Sequence, residues 1–153
     1  MGEGCGEEFR HFLRLPDPGV NLIQASENII DELPILAIAF ALADGVSEIH
    51  DAEELRVKET DRIAAVATNL RKFGVPVEER PDGMIVEGGK PLHGAVVESF
   101  GDHRIAMAFA ILGLFAKGQT RVVNSGCIAT SYPTFEEHLR KVLKPPTKPR
   151  TVR

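Results

Sequence analysis

The chain has 153 residues, 43% of them hydrophobic and 26% charged, and a formal net charge of -4 at pH 7. This length allows one domain with a real core, and the charge excludes a general binder of nucleic acid or of membrane surfaces. Cys5 and Cys127 are too few for a disulfide framework and lie in no metal-binding pattern, so we expect a cytoplasmic protein without a metal. The absence of a signal-peptide pattern and of a bilayer-length apolar run agrees with that.

The first half of the chain alternates strand and helix patterns. Residues 1–19 predict no element, and a strand is expected within 20–30. Asp31 then precedes Glu32-Leu33-Pro34, which predicts a helix with an Asp N-cap, running to about Ala43 and ended by Gly45. A short strand follows at 46–50. An amphipathic helix is predicted from about 59 to 72, and two alternating runs around Pro81-Asp82-Gly83 predict a β-hairpin.

The second half repeats part of this order. A strand is predicted at 95–98, an apolar helix at 105–116 opened by Asp102, a strand at 120–123 and a last helix from Pro133 to about Leu143. Residues 144–153 predict a disordered basic, Pro-rich tail. Because each half has an apolar helix opened by Asp and a later Leu-Arg-Lys segment, we expect a duplication whose apolar helices lie side by side. Chance similarity remains the competing explanation, since the identities are few.

Charged residues continue the apolar stripe of the predicted 59–72 helix towards its start. Glu59 lies one turn before Ile63, and Arg62 lies one turn before Val66. Residues four apart share a helix face, so these charges should point inwards, where they must meet each other or a charged ligand. The plainer alternative is a solvated first turn in which Lys58, Glu59 and Arg62 form weak ion pairs.

Helix starts near Asp31, near Lys58 and after Asp102 could converge on one anion site. Asp31 and Asp102 are most simply N-caps, but a capping carboxylate at a cleft can also act in chemistry. Arg104 in a first turn opposes the helix dipole, which an anionic ligand or a carboxylate would resolve. Helix N-termini with Arg and Lys attract phosphate and carboxylate groups, leaving Asp31 and Glu59 for proton transfer.

Five segments occur in the order and at the spacings found in EPSP synthases (5-enolpyruvylshikimate-3-phosphate synthases), and the chain resembles that family. The segments are Asp31–Pro34 (DELP), Leu55–Arg62 (LRVKETDR), Leu70–Gly74 (LRKFG), Gly101–Met107 (GDHRIAM) and Ala129–Pro133 (ATSYP). The resemblance implies an α/β fold of the enolpyruvyl transferase type, built from repeated βαβαββ units. Residues 20–143 would be part of its second domain, and residues 1–19 match poorly.

The resemblance also implies an activity: transfer of the enolpyruvyl group of phosphoenolpyruvate to the 5-hydroxyl of shikimate-3-phosphate, with release of phosphate and no cofactor. Asp31 would accept the hydroxyl proton, and Glu59 would move the proton at the phosphoenolpyruvate methylene carbon. Lys58 would bridge shikimate-3-phosphate and the reacting phosphate region. Arg62 and Arg104 would hold the anionic groups of phosphoenolpyruvate, with His103 beside them.

Two departures from the family pattern qualify this reading. Thr130 stands where many members carry a Lys, and members are about three times longer, with the site in a cleft between two domains. The expectation is therefore a C-terminal half-site that needs the N-terminal domain or a complementary chain. The alternatives are a non-catalytic anion-binding or assembly module of the same fold, or part of a UDP-N-acetylglucosamine enolpyruvyl transferase.

Overall fold

The computed structural model describes residues 20–25 and 29–143, which form two successive units. The first unit, residues 20–88, has the order βαβαββ: β1 (Val20–Gln24), α1 (Leu33–Leu42), β2 (Gly45–His50), α2 (Arg62–Lys72), β3 (Val77–Arg80) and β4 (Gly83–Gly88). The second unit, residues 96–143, has the order βαβα: β5 (Val96–Glu98), α3 (His103–Gly113), β6 (Arg121–Val123) and α4 (Phe135–Leu143). The predicted α/β fold is confirmed, and the second unit repeats the first four elements of the first.

The four strands of the first unit form one sheet in the order β1-β2-β4-β3. β1 and β2 are parallel, as a connection through α1 allows, whereas β2–β4 and β3–β4 are antiparallel. The predicted hairpin is confirmed: Arg80 pairs with Gly83, so Pro81 and Asp82 form its two-residue turn. In the second unit β5 and β6 are likewise parallel, and α3 connects them as α1 connects β1 to β2.

The core lies where the two units meet. α1 packs against α3, as the predicted duplication requires, and α2 contacts both of them. Phe73, just after α2, stacks on Phe109 of α3 with the ring centroids 6.0 Å apart, and both rings are buried. Fully burying a side chain of this size contributes about 1.5–3 kcal/mol, so these contacts fix the two units against each other.

Two predicted helix starts are wrong. Asp31 is not an N-cap: it lies in a 3-10 turn, Ile30–Glu32, and Glu32 occupies the N-cap position of α1 without a side-chain cap bond. Pro34 in the first turn removes one N–H that a cap could bind, and the Asp31 carboxylate has ionic partners elsewhere. Glu59 is not helical either, because α2 begins at Arg62 and is capped by the Asp61 side chain, which accepts from the Ala64 N–H at 2.9 Å.

The last helix has an apolar face that the described residues leave largely uncovered. α4 begins at Phe135, two residues later than predicted, and none of its residues is fully buried. Phe135, Leu139 and Val142 lie on one face by helical spacing, and Val142 is 81% exposed. Among the described residues, no helix is long and apolar enough to span a membrane.

Candidate active site

Arg62 is the centre of the charged cluster. It is the first residue of α2, and its side chain is only 1% exposed although it carries a full charge. The spacing of the apolar residues correctly predicted that the Arg62 side chain points into the protein, because Arg62 lies one turn before the buried Val66. A buried cation without partners would cost several kcal/mol, so its contacts decide what this site is.

Three carboxylates surround the Arg62 guanidinium. Nε donates to Asp102 Oδ2 at 2.7 Å, Nη1 donates to Asp31 Oδ1 at 2.9 Å, and Nη2 donates to Glu59 Oε2 at 2.6 Å. Burial alone would lower the pKa of Arg62, but Asp102, Glu59 and Asp31 outweigh burial and raise it. Arg62 thus gathers acidic groups from the turn before α1, from the loop before α2 and from the start of α3.

Asp31 lies between two cations at the rim of this cluster. Besides its bond to Arg62, its Oδ1 lies 3.5 Å from Lys58 Nζ, and about half of its side chain is exposed. Burial alone would raise the pKa of Asp31, but the charges and hydrogen bonds of Lys58 and Arg62 outweigh burial and lower it. Asp31 is therefore held charged, with one side open to solvent.

Lys58 projects from the loop before α2 and is partly exposed. It pairs with Glu54, one helical turn earlier, as well as with Asp31. The hydrogen bond to Glu54 is the largest contribution that raises the pKa of Lys58. The ammonium therefore stays charged at the rim, where a phosphate group could reach it.

Asp102 closes the cluster from the second unit. Its side chain is fully buried and caps α3, accepting from the N–H groups of Arg104 at 2.9 Å and Ile105 at 3.3 Å. The predicted N-cap at Asp102 is confirmed. The same carboxylate also receives Arg62, so the start of α3 is tied directly to the start of α2.

Arg104 lies on the other side of Asp31. Its Nη1 donates to the Asp31 carbonyl at 3.0 Å and to Glu32 Oε1 at 2.9 Å. Within the described part of the chain these bonds use only Nη1, so Nη2 and Nε are available for an anion at the rim. The sequence predicted that an anionic ligand or a carboxylate would offset the unfavourable position of Arg104 at the start of a helix. In the structure the carboxylate of Glu32 and the backbone carbonyl of Asp31 do so.

The structure brings together Asp31, Lys58, Glu59, Arg62 and Arg104, all of which the sequence predicted as site residues. Their arrangement differs from the expected one in one respect. Arg62 is engaged by carboxylates from its own chain and buried, so an anionic ligand would have to displace one of them. His103, the first residue of α3, is partly buried next to Asp102 and Arg104.

Sequence reasoning missed Arg56, which fixes the loop that carries Lys58 and Glu59. Its Nη1 donates to Asp61 at 2.9 Å and to Glu79 at 2.8 Å, and its Nε donates to the Pro81 carbonyl at 3.0 Å. Arg56 thus links the N-cap of α2 to the β3–β4 turn. The signal was an Arg inside the LRVKETDR segment, but its partners other than Asp61, namely Glu79, Arg80 and Pro81, lie more than twenty residues away.

Thr130 stands apart from these contacts. It ends the 3-10 turn Ser125–Thr130, and its hydroxyl donates to the Cys127 carbonyl at 2.7 Å. This hydroxyl does not replace the cation of the Lys that many family members carry at this position. The partly exposed cations of the cluster are therefore Lys58 and Arg104. Among the described residues, no group of His, Cys, Asp and Glu is placed to hold a metal ion.

The arrangement defines a class of protein: an α/β protein in which a βαβαββ unit precedes a βαβα unit and in which cations and carboxylates gather near three helix starts. Comparison with known proteins makes this specific. The family model for EPSP synthase (3-phosphoshikimate 1-carboxyvinyltransferase) matches residues 14–139. The chain therefore belongs to the EPSP synthase family.

Individual relatives agree. The chain is 58% identical over 116 residues to the 3-phosphoshikimate 1-carboxyvinyltransferase of Akkermansia muciniphila and 53% identical over 116 residues to that of Aquifex aeolicus. Both matches cover 76% of this chain but only 27% of the relative. The EPSP synthase structure from Acinetobacter baumannii superimposes with a TM-score of 0.73 at 39% identity, covering 79% of this chain and 30% of that one. The chain thus spans about a quarter to a third of these relatives.

Proposed function

We propose that this chain supplies one half of an enolpyruvyl transfer site. The reaction moves the enolpyruvyl group of phosphoenolpyruvate onto the 5-hydroxyl of shikimate-3-phosphate and releases phosphate. A single observation supports this most: three carboxylates from three separate segments meet at Arg62, and two further cations, Lys58 and Arg104, contact one of them, Asp31. Both substrates are anions that contain a phosphate and a carboxylate, and they suit such a cluster.

The roles follow from charge and exposure. Lys58 and Arg104 are partly exposed and charged, so they would meet the phosphate and carboxylate groups first. Asp31 is held charged and half exposed, so it can accept the proton that the substrate hydroxyl loses as its oxygen bonds the enolpyruvyl carbon. Glu59 is similarly exposed and would move the proton at the methylene carbon. His103 lies beside Arg104 at the start of α3.

Arg62 would act at the centre by exchanging partners. In the described structure its donors hold Asp31, Glu59 and Asp102, and Asp102 is fully buried while the other two are half exposed. An entering anionic group would therefore displace Asp31 or Glu59 rather than Asp102. When Asp31 is displaced, its carboxylate loses the Arg62 contact that helps to lower its pKa, so its affinity for a proton rises as the substrate arrives.

The remaining contacts to shikimate-3-phosphate would come from the N-terminal domain or a complementary chain. Catalysis of a reaction between two substrates depends on holding both in place, and losing half of the positioning groups forfeits much of that advantage. We expect residues 20–143 alone to bind phosphoenolpyruvate weakly and to release phosphate at a negligible rate. The proposal also includes a cytoplasmic location and a partial domain that begins at residue 20 and ends at residue 143.

A grafting experiment tests the function. Residues 20–143 would replace the matching segment of the Akkermansia muciniphila relative, and phosphate release from phosphoenolpyruvate and shikimate-3-phosphate would be measured. We expect turnover in the hybrid and its loss in the same hybrid with Arg104→Ala. Lys141→Ala, on α4 and far in sequence from the cluster, is the matched control and should keep the activity.

Two results would contradict the proposal. A folded hybrid that shows no turnover while the ungrafted relative is active would mean that this chain does not supply a working half-site. Turnover that survives Arg104→Ala unchanged would mean that the cluster is not where the substrates bind. Calorimetry with phosphoenolpyruvate on residues 1–153, with and without Arg104→Ala, gives an independent measure of the same contact.

A further inference from the structure

Asn69 is a buried polar residue that the proposed reaction does not use. It lies on α2, and it is 0% exposed among the apolar residues Val66, Leu70 and Phe73. A buried amide must find hydrogen-bond partners, since leaving it unpaired costs about 1–3 kcal/mol. It lies seven residues after Arg62, which is two helical turns, so both side chains leave α2 on the same face.

Asn69 binds the backbone of β5 at a position that no strand covers among the described residues. Its Nδ2 donates to the Glu98 carbonyl at 2.8 Å, and its Oδ1 accepts from the Glu98 N–H at 3.3 Å. The carbonyl of Ala95 and the N–H of Ser99 bond to the β6 side. Strand backbone groups alternate in direction, so those of Glu98 face away from β6, and Asn69 takes the place of a neighbouring strand.

The residues after Glu98 form a tight turn that leads directly to Asp102. Phe100 and Gly101 both have left-handed backbone angles, φ +55° and +73°, which is unfavourable for Phe100. Side chains hold this turn: Glu98 accepts from the Phe100 N–H at 3.1 Å, and Ser99 accepts from the Gly101 N–H at 3.1 Å. Because these bonds fix the backbone of the turn, a shift of Glu98 would also shift Asp102.

Side chains of α2 therefore bind this turn at both of its ends. Asn69 holds the backbone at Glu98, and Arg62 holds the side chain at Asp102 with a bond of 2.7 Å. Asp102 in turn caps the helix on which Arg104 is the second residue. The position of Arg104 at the rim thus depends on how residues 98–102 sit against α2.

We propose that Asn69 is a positioning residue of the anion site. Through Glu98 it fixes the turn 98–102, and so it sets the distance between Asp102 and Arg62 and the place of Arg104. The part of this inference that concerns anion binding rests on the proposed function, whereas the part that concerns the Arg62–Asp102 pair does not. A buried amide that only satisfied a backbone would leave that pair unchanged when it is removed.

The test uses residues 1–153 and two substitutions on one helix. Asn69→Leu removes the amide at similar volume, and the matched control, Leu70→Ala, removes buried apolar contacts from the next position. The readout is hydrogen exchange of the Arg62 Nε–H signal by NMR, taken relative to the slowest backbone amides of α1, which corrects for general loss of stability. Asn69→Ala is the second variant, to be used if Asn69→Leu does not fold.

We expect the relative exchange of Arg62 Nε–H to rise at least about tenfold in Asn69→Leu or Asn69→Ala, the equivalent of about 1.4 kcal/mol, and to stay within about twofold in Leu70→Ala. An unchanged signal in the Asn69 variants overturns the proposal. So does an equal rise in Leu70→Ala, because the effect would then not be specific to the amide.

Calorimetry with phosphoenolpyruvate separates this inference from the proposed function. If wild type binds, we expect about tenfold weaker binding in the Asn69 variant and little change in Leu70→Ala, since misplacing a binding group by about 1 Å is costly. Unchanged binding in the Asn69 variant overturns the link to the anion site. If wild type shows no binding, the weak binding expected of the isolated chain is contradicted, the hybrid's turnover decides the proposed function, and the Arg62 signal alone decides the positioning role.

Discussion

α2 and α4 are two amphipathic helices of the same chain that carry the same Leu-Arg-Lys segment and end in opposite environments. On α2, Leu70 is 0% exposed, and the helix itself packs against β3, β4 and the neighbouring helices. On α4, Leu139 is only partly buried and Val142 is 81% exposed. A periodic apolar stripe therefore predicts that a helix has a face to bury, and it does not predict what covers that face.

The same contrast holds for charge. Arg62 on α2 is buried among three carboxylates, two of them (Asp31 and Asp102) from distant segments, whereas Arg140 on α4 pairs with Glu136 one turn earlier and is mostly exposed. A local i,i+4 pair contributes only about 0.2–0.5 kcal/mol, but a buried charge depends on every partner it has. The two helices thus offer positions at which the cluster can be compared with an ordinary surface.

The largest difference is expected at the arginines. Arg62→Met should lower the free energy of unfolding by about 3–5 kcal/mol, because it leaves Asp102 buried without its cation. Arg140→Met on α4 should change it by less than about 0.5 kcal/mol. Urea denaturation of both variants measures this, and equal losses would mean that the burial of Arg62 is not what distinguishes the two helices.

A smaller difference is expected at the repeated leucines. Leu70→Ala should cost about 2–5 kcal/mol through lost contacts and an unfilled cavity, whereas Leu139→Ala should cost less than about 1 kcal/mol. Thermal and urea unfolding at two protein concentrations check both values. A large, concentration-dependent cost for Leu139→Ala would show that another copy covers α4 in solution, and the contrast would then fail.

The helix starts should differ by less again. Asp61→Ala removes the side-chain cap of α2 and a partner of Arg56, and we expect a cost of about 1–2 kcal/mol. Thr134→Ala, just before α4, should cost at most about 0.5 kcal/mol, since Thr134 is exposed and its carbonyl still accepts from the His138 N–H. Urea midpoints measure both, and a cost for Thr134→Ala equal to that for Asp61→Ala would contradict the comparison.

The smallest expected effect is a titration. Lys58 and Arg62 lower the pKa of Asp31, so Lys58→Met should raise that pKa, and Lys141→Met on α4 should leave it unchanged. A lowered pKa stabilises the folded state above the ordinary carboxyl pKa, and this contribution is lost as the pH falls through the folded-state value. NMR titration of the Asp31 carboxyl carbon measures the change. If the pKa of Asp31 were the same in Lys58→Met as in wild type, Lys58 would not interact with Asp31 in solution.

Much of the fold could be predicted from the sequence because its signals are local. The Pro81-Asp82-Gly83 turn, the Asp102 cap and the apolar stripe of α2 each depend on residues within a few positions of one another. The side-by-side packing of α1 and α3 was predicted from an internal repeat, which is visible without coordinates. The family-level resemblance was confirmed by the match of residues 14–139.

The site could be predicted only in part, because its geometry is not local. Asp31 was expected to cap a helix, yet its carboxylate bonds to Lys58 and Arg62, which lie 27 and 31 positions later. Those ionic partners outcompete backbone N–H groups for a carboxylate. Asn69 was missed for a similar reason: its partner is a strand backbone 29 positions away, and no periodicity shows a backbone group.

The bonds of Arg56 to the β3–β4 turn have a practical consequence for anyone who labels or re-engineers this chain. An exposed hairpin tip is normally the place to insert a tag or to open new chain ends. Here Arg56 binds the carbonyls of Arg80 and Pro81 and also the cap of α2. A fluorophore or affinity tag placed at that tip would disturb the loop that carries Lys58 and Glu59, although the tip looks remote from that loop on the surface, and the exposed face of α4 is the safer attachment point.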